Sequence, residues 1–336
     1  MPINIQDVAV KAGVCVTTVS RVLNNNGRVR ESNRQKVLQA IADLGYNPNA
    51  AARTLAKGKT EVLGIILPTL NDPFWADLVT AIERAAFEEG YLVALALTLD
   101  NSDEVIKKLW VKLFSESRVD GIMVIAPEYE TDYISELRSR NFPLVLLDNN
   151  ENNLKVPSVV VDNLKGGYLA TRHLIELGHT RIGHIVGDLK YQSARGRLQG
   201  FRKAMNQAGL AIREEWVREG GFHFERAFRI ASEWLTRPER PTAIFAADDD
   251  MASGLVEAAR QLHLKLPEDL SIVGYDDSPF CSRVLPRLTT VRQPAAAMAK
   301  EAVQLLLRYI AAKPPRTKTA VIAPELIVRE STQRIS

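Results

Sequence analysis

Through the first 45 positions apolar residues recur three and four apart, the spacing of one helix face; from Val62 on they gather in short unbroken runs. Ile5, Val8, Ala9 and Ala12 predict a first helix, with Asn4 as its N-cap and Asp7 three residues on. Gly13 supplies a turn. A second helix runs from Val16 to about Asn24, with Val19, Val22 and Leu23 facing inward and Thr17 and Arg21 sharing the opposite face. A third carries Val37, Ile41 and Leu44 on one face and ends at Gly45. Beyond these, the apolar runs predict strands at Val62–Leu67, Leu92–Leu97, Gly121–Ala126, Leu144–Asp148, Ser158–Val161, Ile182–Val186, Ala243–Ala247 and Ser271–Tyr275. Amphipathic segments near 74–89, 102–117, 131–140, 164–177, 194–208, 223–236 and 250–262 predict helices between them. Strands buried on both faces and separated by helices imply parallel, doubly wound sheets, and the run is long enough for two.

Between the two patterns lies Asn47-Pro48-Asn49-Ala50-Ala51-Ala52-Arg53-Thr54-Leu55-Ala56. It reads as a connecting helix too short to stand alone. The second helix presents small polar residues and an arginine outward, a face suited to the major groove, and Val16, Thr17 and Arg21 are placed to reach base edges. A generic three-helix bundle with a solvated face is the plainer alternative. Charge favours the groove: residues 1–60 hold nine basic and three acidic side chains, a net +6, whereas the whole chain is only +3.

A chain of 336 residues predicts two or three domains. Its longest apolar stretches are far too short to span a bilayer, and Met1-Pro2-Ile3-Asn4 does not read as a secretory leader. With two cysteines in different predicted domains, Cys15 and Cys281, the expected setting is a reducing cytoplasm, with no membrane association.

In open α/β sheets ligands sit beyond the carboxyl ends of strands. The residues found there are Asn71, Asp72, Phe74 and Trp75; Asp148; Ser193, Arg195 and Arg197; Phe222; Asp248, Asp249 and Asp250; and Asp276 and Asp277. Carboxylates accept from vicinal hydroxyls, Arg donates, and aromatic rings pack on a sugar or a base. Core packing is the alternative for Phe74 and Trp75, and a plain salt bridge for Arg197. Asp249 and Asp250 read as caps of the following helix, and His179 as a contact of helix-terminal carbonyls. Neither the acidic triplet nor the five histidines have metal-ligand spacing. G-x-S-x-G, P-loop and G-x-G-x-x-G motifs are absent, so no cofactor and no catalysis are expected.

The segment Ile5-Gln6-Asp7-Val8-Ala9…Ala12-Gly13-Val14…Thr18-Val19-Ser20-Arg21-Val22-Leu23-Asn24 closely resembles the head of the lactose/galactose/purine repressor family of bacterial regulators. Gly45-Tyr46-Asn47-Pro48-Asn49 and Ala52-Arg53-Thr54-Leu55 resemble its hinge helix. The likeness continues through Asp120-Gly121-Ile122, Gly178-His179, Arg197-Leu198…Gly200-Phe201, Pro241-Thr242-Ala243-Ile244-Phe245, Gly274-Tyr275-Asp276-Asp277 and Leu288-Thr289-Thr290-Val291. The resemblance implies a small all-α helix-turn-helix head and an α/β body of two doubly wound parallel-sheet subdomains, like periplasmic binding proteins. By it the head is 1–46, the hinge 47–58, the first subdomain 59–161 plus 292–322 and the second 162–291 plus 323–336; a helix near 295–312 belongs to the first. It implies DNA contacts by Val16, Thr17, Arg21, Asn33, Arg53 and Leu55, with Leu55 as a minor-groove wedge. It implies effector contacts by Asn71, Phe74, Arg197, Phe222, Asp248 and Asp276, with Asp148 and Ser193 matching less closely; Trp75 joins them from its place beside Phe74.

The expected protein is a repressor of sugar-utilisation genes, binding double-stranded operator DNA as a homodimer and switched by a small sugar. A nucleobase or nucleoside effector is the alternative within the class; a transport solute-binding protein is the alternative outside it. Two residues depart from the family pattern. Cys15 and Arg30 stand where the second and third helices usually have a Ser cap. A thiol at a helix start can ionise more easily, which opens a redox reading beside that of a tolerated small residue.

Overall fold

The computed structural model describes residues 3–23, 27–46, 58–98, 110, 112–114, 116, 118–126, 132–148, 156–311 and 319–335. They form two compact units, Met1–Thr60 and Glu61–Ser336. The connecting segment with Arg53 and Leu55 lies outside the described residues, as does most of the helix expected near 102–117.

The first unit is three helices: α1 (Ile5–Ala12), α2 (Val16–Leu23) and α3 (Glu31–Leu44). Asn4 and Asp7 close a reciprocal capping box on α1, Asn4 Oδ1 accepting from the Gln6 and Asp7 amides and Asp7 Oδ2 from the Asn4 amide. Gly13 turns the chain at φ 63° into α2. Val8, Val19 and Val37, one from each helix, are fully buried together with Ala9, Ala12, Val22 and Ala40. Their small size brings the three helices close, and the outer face of α2 is left to solvent.

The second unit holds two six-stranded sheets. The first contains β1 (Val62–Leu67), β2 (Leu92–Leu97), β3 (Gly121–Ile125), β4 (Leu144–Leu147), β5 (Ser158–Val161) and β11 (Thr319–Ile322), in the order β2-β1-β3-β4-β5-β11 and parallel throughout. The second contains β6 (Ile182–Val186), β7 (Val217–Glu219), β8 (Ala243–Ala246), β9 (Ser271–Asp276), β10 (Thr289–Arg292) and β12 (Glu325–Ile327), in the order β7-β6-β8-β9-β10-β12, with only β12 antiparallel. Both orders reverse beside their first strand, which is where such sheets bind ligands. The fold is thus a helix-turn-helix head and two parallel-sheet α/β subdomains.

Helices α4 (Pro73–Glu88), α5 (Asp132–Ser139), α6 (Asn163–Glu176), α7 (Gln192–Gln207), α8 (Phe224–Leu235), α9 (Asp249–Gln261) and α10 (Ala295–Ile310) connect the strands. α10 buries Ala295, Met298, Ala299, Ala302 and Leu306 in the core of the first sheet. α6 and α7 pack nearly backbone to backbone: a Cβ at Gly167 would lie 2.2 Å from the Arg197 carbonyl oxygen, and one at Gly200 2.2 Å from that of Leu164. That contact fixes the depth of Arg197.

Four strands, β7, β10, β11 and β12, were not among those expected. Three are exposed three- or four-residue strands, and β10 carries two threonines, so none has an unbroken apolar run. Two side-chain expectations are corrected. The cap of α9 is Asp248; Asp250 accepts instead from the Phe224 amide, and Asp249 is turned into the sheet. His179 meets the helix end through its backbone and not its ring: the Gly178 and His179 amides take the carbonyls of Ile175 and Leu174. Its ring meets Thr242 Oγ1 at 3.0 Å, Ser271 Oγ at 3.1 Å and the Gln333 carbonyl at 3.2 Å, fastening the C-terminal segment to the second sheet.

Candidate functional site

On the head, Val16 is 38% exposed and Thr17 and Arg21 are exposed as well, all on α2. Asn33, in the first turn of α3, is half-buried, and Arg30 precedes α3 without a side-chain capping bond. The thiol of Cys15 lies 3.0 Å from Thr17 Oγ1 and 3.1 Å from Thr18 Oγ1. Those hydroxyl contacts are the main reason its pKa falls to about 7. The thiol therefore engages Thr17, one of the groups expected at base edges.

In the body, the polar residues expected at strand ends gather around one buried guanidinium. α4 begins beyond β1, where Asp72 accepts from the Phe74 and Trp75 amides and Pro73 fits the first helical position. Phe74 turns into the core of the first sheet, whereas Trp75 stays half-buried and donates Nε1 to Asp148 Oδ2 at 3.3 Å. Asp148 follows β4 at φ 65° and is 8% exposed; its Oδ1 is buried without a protein partner. Such an atom is costly unless something supplies a donor.

From the second sheet, Asp248 caps α9 by accepting from the Met251 amide at 2.7 Å. Asp276 ends β9 at φ 116° and accepts from Gln293 Nε2 at 2.6 Å. Arg197, 3% exposed, lies among them. Its Nε donates to Asn163 Oδ1 at 3.0 Å and its Nη1 to the Ala247 carbonyl at 2.5 Å. Its Nη2 is 3.8 Å from Asp276 Oδ1, and the guanidinium lies 3.7 Å from the Tyr275 ring centroid. Phe222, at φ 64°, brings its ring 5.9 Å from the same guanidinium and 6.2 Å from Tyr191. Gly187 makes room for it, since a Cβ there would sit 2.1 Å from Phe222 Cζ. Asn71 is exposed and Ser193 is buried; no described hydrogen bond draws either into this group.

The electrostatics follow from burial. Desolvation raises the Asp248 carboxyl to about 8, helped by Asp72 and Asp250 and opposed by Arg197. It raises Asp72 to about 6, and pushes Asp148 and Asp276 up as well, with Arg197 holding each down. Protonated, these groups donate as well as accept. Sequence reasoning passed over Gln293, Tyr275 and Asn163. Asn163 follows the expected strand Ser158–Val161 and so carried the same strand-end signal; Gln293 follows β10, which was not expected, and Tyr275 lay within an apolar run. Gln293 Oε1 is also buried and unpartnered. Among the described residues there is no cluster able to hold a metal ion, and no helix is long and apolar enough to cross a membrane.

A helix-turn-helix head joined to an α/β body with a buried polar cluster at its strand ends defines a ligand-responsive, DNA-binding regulator. The comparisons agree. The family of bacterial regulatory proteins named for lacI matches residues 4–49, and a periplasmic binding protein-like domain matches residues 171–332. The transcriptional repressor PurR of Proteus mirabilis is 38% identical over 97% of this chain and 96% of its own. That of Haemophilus influenzae is 38% identical over 98% and 99%. Among solved structures, the Lac repressor dimer bound to operator and the anti-inducer ONPF superposes with a TM-score of 0.90 at 30% identity, covering 99% of this chain and 100% of that one. A ribose-bound regulator from Enterococcus faecium gives 0.73 at 26% identity, covering 82% and 100%. The chain belongs to the LacI family of bacterial regulatory proteins.

Proposed function

We propose that this protein is a repressor whose effector is a purine nucleobase or nucleoside, in place of the sugar that the sequence suggested. One observation carries the reading. The curated relatives named PurR are 35–38% identical over nearly the full chain, above the 26–30% of the sugar- or anti-inducer-bound regulators of similar fold. The chemistry of the cleft suits it. Carboxyl groups that both accept and donate match the N–H and C=O edges of a base, and Phe222 and Trp75 offer aromatic faces. Arg197, the guanidinium at the centre of this cluster, already spends Nε on Asn163 and Nη1 on the Ala247 carbonyl, which disfavours a nucleotide or sugar phosphate. A free sugar is the second reading, favoured by the ribose- and cellobiose-bound regulators of the same fold.

The test is thermal unfolding with hypoxanthine, guanine, adenosine, inosine monophosphate and ribose. A base or nucleoside at a hundredfold over its Kd adds about 2.7 kcal/mol of stability. Stabilisation by ribose alone, or by the monophosphate as strongly as by its base, overturns the purine reading.

The DNA end of the proposal is a homodimer on a palindromic operator, with effector and operator coupled through the body. Coupling is limited to the effector's differential affinity for the two arrangements, typically about 1–3 kcal/mol. Arg21 is assigned to a guanine, with Val16 and Thr17 at neighbouring bases. Arg21→Ala should cost about 1–3 kcal/mol at one position of each half-site and relax the preference there. Binding measured on operators mutated in either half checks this. Equal loss on random DNA would make Arg21 a phosphate contact, and loss confined to one half would overturn the dimer.

A further inference from the structure

Beside the polar cleft lies a carboxylate that does not face it. Asp249 follows the cleft residue Asp248, is 3% exposed, and points between β9 and β10. Its Oδ2 accepts from the Ser278 amide at 2.7 Å, and its Oδ1 from Thr290 Oγ1 at 2.7 Å. Because the Thr290 hydroxyl donates to Asp249, its lone pairs are free to accept from the Asp277 amide, 3.3 Å away. Directly and through Thr290, Asp249 thus receives the two consecutive N–H groups that follow Asp276.

Those two groups belong to an unusual stretch of backbone. Asp276 and Asp277 stand at φ 116° and 61°, conformations that residues with a Cβ keep only when their surroundings hold them there. Asp277 is held from outside by Arg292 at 2.7 Å and Arg329 at 2.5 Å. Asp249 holds the loop from inside. The sheet is built to admit it: a Cβ at Gly274 would lie 2.3 Å from Asp249 Oδ1. Burying a carboxylate and baring a strand to do so is a poor way to fill space, since apolar residues of similar volume stabilise at least as well.

We propose that Asp249, acting through Thr290, is a positioning residue that holds the Asp276-Asp277-Ser278 loop in its left-handed form and thereby aims the Asp276 carboxylate at the effector. The proposal rests on the cleft being the effector site. It also links Asp248 to Asp276: neighbours in the cleft, they share one rigid support instead of moving separately.

The experiment compares Thr290→Val, Thr290→Ser and Asp249→Asn in the full chain. Amide hydrogen exchange at Asp277 and Ser278, the carboxyl titration of Asp276 by carbon NMR, and the affinities for hypoxanthine and ribose are measured. Thr290→Val should speed exchange at Asp277 at least tenfold, move the Asp276 titration and weaken the probe that wild type binds about tenfold, with β8 exchange unchanged. Thr290→Ser should restore all three, which a loss of packing would not do. Asp249→Asn should extend the faster exchange to Ser278; if it fails to fold, the threonine pair still decides. Unchanged exchange and titration in Thr290→Val overturn the proposal. If neither probe binds wild type, the hypoxanthine and ribose readings fail, while exchange and titration still decide the role of Asp249.

Discussion

Arg197→Met is expected to destabilise the body by about 3–5 kcal/mol at neutral pH, the usual cost of removing one partner from a buried ionic group, and to abolish the effector response. The guanidinium is buried, spends Nε on Asn163 and Nη1 on the Ala247 carbonyl, and lies 3.8 Å from Asp276 Oδ1. Methionine keeps much of the volume but leaves those acceptors unmet and the carboxyl groups unbalanced. Arg197→Lys restores the charge without the planar fork, so it should recover part of the stability and little of the effector binding. Urea unfolding followed by circular dichroism gives the first quantity, and operator titration with and without effector the second. A methionine variant within about 1 kcal/mol of wild type would mean that the hydrogen bonds of the guanidinium to Asn163 and Ala247 add little and that Asp148 and Asp276 are as neutral at pH 7 as Asp248.

Most of the strands legible before the structure share one physical trait; β2, an exposed edge strand that is nonetheless apolar throughout, is the exception. Runs such as Val62–Leu67, Gly121–Ile125 and Ile182–Val186 are buried on both faces, so every position is apolar and the run itself marks the strand. β11, β12 and β7 lie at sheet edges or ends with exposed positions, and lose that mark. In β10 the threonines look polar in sequence yet are fully buried, because Thr290 bonds Asp249 and Thr289 meets the C-terminal segment. Hydrophobicity could not report such a strand.

The same divide runs through the site. The rule that ligands gather at carboxyl ends of strands drew attention to Asp148, Arg197, Phe222, Asp248 and Asp276 from local position alone, and the structure brings these side chains together. It could not separate Asp248 from Asp249. Adjacent and chemically identical in sequence, they differ only in what they meet: the Met251 amide for one, Thr290 and Ser278 for the other, up to 41 residues away. Effector chemistry escaped for a different reason. Carboxylates beside aromatic rings serve sugar hydroxyls and base edges alike, and it was kinship with repressors named PurR that shifted the balance.

The stability of the body should fall as pH rises from 6 to 8, by about 2 kcal/mol from Asp248 alone. The group is buried, its carboxyl stands at about 8 in the fold, and the ordinary aspartate value is 3.8. The sign follows from proton binding. Between these values the native state keeps a proton that the unfolded chain has lost, so this stabilisation is greatest at low pH and fades as pH climbs through 8. Asp72 and Asp276, also raised, act in the same direction, Asp250 adds repulsion, and Arg197 opposes it. His184 does not enter, because burial holds its pKa near 4. Asp248→Asn isolates the effect: asparagine caps a helix as well as aspartate does, so α9 keeps its first turn while the titrating proton is gone. Denaturation midpoints at pH 6, 7 and 8 should slope downward in wild type and flatten in the variant. Parallel slopes in the two proteins would place the charge change elsewhere and leave Asp248 ionised through the whole range.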